Sequence, residues 1–396
     1  MKFRWVSVIL HCWIGALAPA DDDAAFGGKP SSEKAQVSAI LGAKEQNGPS
    51  SDFATAVRRI DELGGQFNFD DSGSLVGIDL ASDRVSLGDA DIHFLLAFPH
   101  VQQLKLSGSG ITDAGVRLVS SIATLSELSL LDVQLDDDGL KQLAQLKNLA
   151  SLSIRRSPRL TDNGLQHLSQ LPKLVKLGLL DVGISNRGLG QLAIMTRLEL
   201  LDLRGCRQLD NAGLEQLRSL KSLKTLRLGG YRIDDDSLAI LDGLPSLTSL
   251  TIDEAAVTDA GLAKLVNLPL EELSFSRCYG VTDGGFMQFA KFPALRQLSL
   301  RAIPLTGNGL VHLPGKTKLA VLRLNETGVN DAALTRIGEL QDLTRLELRQ
   351  TQITDAAVDS LQTLARLKIL DVGQTGITDD GAERLAKSLP RCKIVR

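Results

Sequence analysis

The sequence predicts an α/β fold: a horseshoe-shaped solenoid of stacked coils, with a parallel β-sheet on the concave face and helices on the convex face. Three observations predict it. Apolar residues recur in the spacing L-x-x-L-x-L from Val101, Leu104 and Leu106 to Leu367, Leu370 and Val372. A second landmark close to T-D-A-G-L follows each copy. Its Asp-equivalent positions are Asp89, Asp113, Asp137, Asp162, Asn186, Asn211, Asp235, Asp259, Asp283, Gly307, Asp331, Asp355 and Asp379, always 24 or 25 residues apart. The apolar period changes within each copy from two residues, as in a strand, to three, as at Leu262, Leu265 and Leu268.

The elements follow in chain order. Residues 1–20 read as a signal peptide: Lys2 and Arg4 form a basic start, Trp5 to Leu17 an apolar stretch, and Ala18-Pro19-Ala20 a small-residue cleavage site. That stretch is too short for a stable membrane span. Residues 21–51, rich in Asp, Ala, Gly, Ser and Pro, read as a flexible spacer with one short helix near Glu33 to Lys44. Residues 52–74 are expected to form an N-terminal helical cap, with a helix from Asp52 to Leu63 ended by Gly64-Gly65. Residues 75–396 form a domain of about 13 repeats. It opens on a degenerate coil (Ile78, Leu80, Val85, Leu87) and closes on a short edge strand, Lys393-Ile394-Val395.

Within a coil, Leu104 and Leu106 point inward and Lys105 outward, because alternate strand residues share a face. Thr112 or Asp113 is a good N-cap for the helix that follows. A single coil cannot bury its own apolar face, so neighbours must stack.

A period of 20–29 residues with this leucine spacing resembles the leucine-rich-repeat superfamily. The nearest type is the cysteine-containing repeat of F-box substrate receptors and of many exported bacterial proteins. Its full form stands twice, at Gly205-Cys206-Arg207-Gln208-Leu209-Asp210-Asn211-Ala212-Gly213-Leu214 and at Cys278-Tyr279-Gly280-Val281-Thr282-Asp283. Elsewhere the Cys/Asn position holds Ser109, Val133, Ser157, Val182, Tyr231, Ala255, Ile303, Thr327, Thr351 and Thr375, so there is no continuous Asn ladder. In the last three, Thr hydroxyls are expected to bond neighbouring backbone. The resemblance covers residues 75–396 and implies a binding scaffold rather than an enzyme.

Composition narrows the function further. Removing residues 1–20 takes Lys2 and Arg4 and no acid, leaving 42 basic against 47 acidic residues, a net of −5, which argues against nucleic acid as a general partner. Trp5 and Trp13 leave with the signal, and Tyr231 and Tyr279 are the only tyrosines, so stacking platforms for sugars or bases are poor. Cys206 and Cys278 lie three coils apart, roughly 15 Å at the usual strand spacing, too far for a disulfide. They read as small buried hydrophobes.

Catalytic, cofactor and metal sites are not expected. Gly315-Lys316-Thr317 resembles the end of a phosphate-binding loop, but Leu310 stands where that loop needs glycine. His93, His100, His167 and His312 lack obvious co-ligands. Aspartates at Asp136-Asp137-Asp138 and Asp234-Asp235-Asp236 have the chemistry for weak Ca²⁺ binding, but helix capping accounts for the main Asp column without an ion. Asn325-Glu326-Thr327 is the one glycosylation sequon.

The concave columns are the informative surface. By alternation they carry Lys105, Arg155, Lys176, Arg204, Arg227, Arg301, Arg323, Arg345 and Arg349 against Glu127, Asp202, Asp253, Glu272, Glu347 and Asp371. Arginine suits carboxylate recognition. The sequence therefore predicts an exported, monomeric, non-enzymatic scaffold for protein–protein interaction. Its concave residues Arg204, Arg227, Arg301, Arg323, Arg345 and Arg349 would bind an acidic protein or peptide. The competing interpretation of that face is cross-strand salt bridges. The alternative function is an intracellular substrate receptor of an SCF-type ubiquitin ligase; residues 21–74 show no convincing F-box.

Overall fold

A computed structural model describes residues 51–81, 85–313, 315 and 318–396. The signal peptide, the spacer up to residue 50 and its expected helix lie outside the described residues, as do Lys316 and Thr317. The chain divides into two compact units, one ending at Val182 and one running from Gly183 to Arg396.

The first unit opens on α1 (Ser51–Glu62), whose Phe53, Ala56, Val57 and Ile60 make one buried stripe at helical spacing. Gly64, at φ 70°, ends it. Strands β1 (Gln66–Phe69) and β2 (Leu75–Leu80) then form an antiparallel hairpin that leucine spacing did not anticipate. Its turn is held by Asp70, whose Oδ1 accepts from Ser72 N and Ser74 N, both at 2.9 Å. From β2 the sheet is parallel and in sequence order through β3 (Gln103–Ser107), β4 (Glu127–Leu131), β5 (Ser151–Arg155) and β6 (Lys176–Leu180).

The second unit continues the pattern: β7 (Leu200–Leu203), β8 (Thr225–Gly229), β9 (Ser249–Asp253), β10 (Glu272–Ser276), β11 (Gln297–Arg301), β12 (Val321–Arg323), β13 (Arg345–Glu347), β14 (Ile369–Asp371) and β15 (Lys393–Val395), all parallel and in sequence order. This is the α/β leucine-repeat architecture that the spacing predicts. The L-x-L leucines are buried throughout, as at Leu226 and Leu228. The helical pieces are short. Asp259–Leu262 is α-helical and Ala263–Leu265 is 3-10, so the three-residue apolar step at Leu262, Leu265 and Leu268 matches the tighter helix and keeps all three inside.

The landmark Asp does more than open a helix. Thr112 is the N-cap, its hydroxyl accepting from Ala114 N at 3.2 Å. The Asp of the preceding coil reaches across: Asp89 Oδ1 accepts from Thr112 N (2.8 Å) and Gly115 N (2.9 Å), and Oδ2 accepts from Thr112 Oγ1 (2.6 Å). Asp137, Asp235, Asp259, Asp283, Asp331 and Asp355 bind the next coil's Thr in the same way. This contact explains the landmark glycine. A Cβ on Gly164 would stand 2.6 Å from Asp137 Oδ1, and one on Gly285 2.5 Å from Asp259 Oδ1. At Gly307, which has no carboxylate to offer, the next coil carries Ala333 instead of glycine, and a Cβ on Gly307 would collide with it.

The coils turn immediately after each strand. Asp132, Arg156, Asp181, Glu254, Arg277 and Ala302 there, and Glu326, Gln350 and Gln374 three residues past β12, β13 and β14, all sit at φ between 50° and 60°, a conformation that disfavours residues with a Cβ. Backbone hydrogen bonds to the next coil, as from Asp132 N to Arg155 O (2.9 Å) and from Glu254 N to Ser276 O (3.0 Å), help to hold them in it.

Candidate interaction surface

The outward columns of the sheet follow directly from the pleat, and the structure shows what their charges do. Asp202 is fully buried between two arginines of neighbouring outward positions. Arg204 grips it with Nε to Oδ1 at 3.0 Å and Nη2 to Oδ2 at 2.8 Å, and Arg227 Nη1 lies 3.4 Å from Oδ2. The Arg204 and Arg227 side chains are only 10% and 13% exposed. Burial pulls the Arg227 guanidinium below its ordinary value, against the pull of Asp202. The expectation that these two stand open to a partner is therefore corrected: both are committed to a buried carboxylate.

A second cluster lies on β12 and β13. Glu347 accepts from Arg323 Nε at 3.0 Å, from Arg345 Nε, and from Asn325 Nδ2 at 3.0 Å. Burial alone would raise its carboxyl, but the two guanidinium groups outweigh that and hold it below the ordinary value. Arg301 pairs with Glu326 at 2.8 Å, a residue of the turn column that strand alternation did not bring into view. Cross-strand pairing thus describes much of this face. Even so, each buried carboxylate faces two guanidinium groups, so both clusters keep a positive excess. Arg349 is half-buried and has no ion-pair partner within 4.0 Å among the described residues. Between the clusters the central column holds the short side chains Thr251, Ser274 and Ser299, aligned in register.

The loop edge of the same unit carries a groove that the sequence did not reveal. Its volume is about 470 Å³, and it crosses the turns after β7 to β10. Tyr231 and Tyr279 line it at 68% and 69% exposure. Sequence spacing put Tyr231 in the Cys/Asn slot, which is buried at Cys206, Ala255 and Cys278. The ring instead lies outside. The signal available was the size of the residue and the Gly229-Gly230 pair before it. Loop length supplies the rest: the coils of Cys206 and Cys278 have one more residue between this slot and the next buried apolar position (Leu209, Val281) than those of Tyr231 and Ala255 (Ile233, Val257). The additional residues are Arg207 and Tyr279 at the two ends of the groove, and β9 and β10 absorb the change with a 23-residue step, Ser249 to Glu272. Inside the groove Arg277 Nη2 donates to Asp253 Oδ2 at 2.9 Å, and Arg277 Nε lies 3.0 Å from Glu254 Oε1. Asp253 Oδ1 is buried and has no hydrogen-bond partner among the described residues.

Other expected features take ordinary places. Cys206 and Cys278 are buried and form no disulfide among the described residues, and burial pushes the Cys278 thiol up to about 11. Thr327, Thr351 and Thr375 do bond backbone, but within their own turn, each donating at 2.7 Å to the carbonyl three residues back. Asp136 and Asp234 are helix N-caps. No group of three metal-ligating side chains occurs among the described residues, and no described helix is long and apolar enough to cross a membrane.

Comparison with known proteins agrees with this architecture. A Leucine Rich repeat family model matches residues 99–120 and 366–386. Among solved structures, a chain of the yeast Rad7 and Elc1 complex is similar at 18% identity and a TM-score of 0.63, over 94% of this chain and 98% of that one. An internalin from Listeria monocytogenes is similar at 20% identity and a TM-score of 0.49, over 88% and 95%. No curated protein matches by sequence. The chain thus carries leucine-rich-repeat matches near both ends of its repeat region and shares the fold of these structures.

Proposed function

We propose that this leucine-rich-repeat chain is an exported, non-enzymatic and monomeric recognition scaffold that binds an extended stretch of a partner protein across the outer sheet face of residues 183–396. One observation carries the proposal. Short side chains, Thr251, Ser274 and Ser299, form an in-register tract bracketed by the Asp202 and Glu347 clusters, each with more guanidinium than carboxylate. Nine strands at about 4.8 Å give a face on the order of 40 Å long, which suits a polypeptide better than a small molecule. The positive excess and Arg349 favour an acidic segment. Arg301, Arg323, Arg345 and Arg349 are the contact residues in this reading, while Arg204 and Arg227 stiffen the end of the tract.

Affinity capture with the full chain from the native envelope fraction or medium tests it. Replacing Arg349 by Glu, together with Arg301→Gln, is expected to weaken capture of the recovered protein by about tenfold, with the weakening reduced at high salt. Unchanged capture would remove the sheet face from the account. Export is tested separately, by N-terminal sequencing of the protein and its cell fraction; an intact N-terminus in the cytosol would overturn it.

A further inference from the structure

The groove on the loop edge has the chemistry of a site for one kind of side chain. The chain's only two tyrosines stand on its rim, on turns two coils apart, with the small residues Ala255 and Ala256 between them. At the usual strand spacing the two turns are roughly 10 Å apart, wide enough for a flat group to enter between the rings. Below them a single guanidinium, Arg277, faces two carboxylates, Asp253 at 2.9 Å and Glu254 at 3.0 Å, so this end of the groove has an excess of negative charge. One oxygen of that set, Asp253 Oδ1, is buried without a hydrogen-bond partner among the described residues, and so is Arg277 Nε, whose 3.0 Å approach to Glu254 is an ion pair without hydrogen-bond geometry. A buried acceptor left in this state calls for a donor. Aromatic faces attract cations, and tyrosine is a frequent anchor at protein interfaces. At the far end Arg207 disfavours a cation, which directs one toward the tyrosines. Gly229 and Gly230 leave the floor between without side chains.

We propose that this groove receives an arginine or lysine side chain of a partner polypeptide, held between Tyr231 and Tyr279 and donating to Asp253 Oδ1. The inference rests on the reading of the chain as a recognition scaffold, but not on the arginines of the sheet face. The two surfaces select opposite charges, so one partner segment carrying both signs would be fixed in direction as well as in position.

The test uses the full chain with fluorotyrosine at its two tyrosines, which gives two fluorine resonances. The probes are a blocked Gly-Ser-Arg-Ser-Gly peptide, its citrulline counterpart and its Glu counterpart. Both resonances are expected to move together and saturably with the arginine peptide, and citrulline is expected to weaken binding by about tenfold. Asp253→Asn should weaken it to a similar extent. Glu254→Gln, at a more exposed position, should weaken it by a few-fold and keeps the test intact if the first variant folds poorly. Equal binding of the citrulline peptide, preference for the Glu peptide, movement of Tyr231 alone or no saturable movement of either signal would each overturn the proposal. None of these results depends on capture of a native partner, so failure here and failure of the sheet-face reading are distinguishable.

Discussion

Asp202 and Asp253 are outward carboxylates of one sheet, two strands apart, and their conditions are opposite. Asp202 is fully buried with both oxygens bonded, gripped by Arg204 and approached by Arg227. Asp253 is partly exposed, bonded at Oδ2 and unsatisfied at Oδ1. The difference teaches where the molecule keeps its binding capacity. A saturated polar network has no donor or acceptor left to offer and contributes to holding one conformation; an unsaturated one gains when a ligand completes it. Neighbouring aromatic rings distinguish the two sites in the same direction, since only the Asp253 groove has exposed tyrosines.

The sharpest way to break the comparison is Asp202→Asn. It leaves two buried guanidinium groups without a counter-charge, and a loss of about 3–5 kcal/mol in unfolding free energy is expected from denaturation of the full chain. Asp253→Asn should cost only about 1 kcal/mol, because the group is partly solvated and half bonded already. If both variants lose the same stability, the distinction between the two carboxylates fails.

Glu347→Gln comes next, at about 2 kcal/mol, since it weakens the pairing of Arg323 and Arg345 while the amide keeps part of the hydrogen bonding. Its pH dependence fixes the sign. The Glu347 carboxyl is held below its ordinary value of 4.5, so its contribution is present above that value and is lost as pH falls through the depressed one. The difference between wild type and Glu347→Gln should therefore narrow on acidification, as followed by thermal melts; a difference that widens would contradict the assignment.

A smaller effect, of opposite sign, is expected at a joint between coils in the first unit. Where the N-cap is Asp rather than Thr, the preceding coil elsewhere supplies Asn: Asn186 Nδ2 donates to Asp210 at 2.6 Å and Asn211 Nδ2 to Asp234 at 3.2 Å. At Asp136 the backbone N–H still donates to Asp113 Oδ1 at 3.1 Å, but the two side chains bring carboxylate against carboxylate. Burial raises the Asp113 carboxyl and the facing Asp136 adds to it, while backbone donors hold Asp136 low against its own burial. Asp113→Asn supplies the missing donor and should stabilise by about 1 kcal/mol at neutral pH. Asp113's raised value favours folding below its ordinary 3.8 and loses that contribution as pH rises through the raised one, so the gain from Asn should shrink toward acid. A destabilised variant at neutral pH would show that Arg159, 3.3 Å from Asp136, already resolves the conflict. Smallest of all, Tyr231→Ala should change stability by no more than about 0.5 kcal/mol, because its ring is exposed.

The fold was legible because it is written in spacing. Leucine period, strand alternation and the Thr N-cap are local facts that repetition amplifies. Less legible was anything decided between coils. The landmark Asp has the composition of a cap for its own helix, yet its oxygens serve the following coil, and that contact explains the glycine three residues beyond most caps, Ser237, Ala333 and Ala357 being the exceptions. The arginine columns followed from alternation, but Glu326 belongs to a turn outside it, so the pairing of Arg301 did not. The groove was hidden for a related reason: one residue of loop length at Arg207 and Tyr279 decides it, and the slot assigned to Tyr231 is one that its ring leaves.

Hydrogen exchange of the full chain, free and bound to its captured partner, tests the account most directly. Protection is predicted in β8 to β13 and in the turns from Gly229 to Tyr279, where unsaturated groups and short side chains face outward. Protection confined to the helical side, around Leu262 to Leu268 and its counterparts, would contradict it.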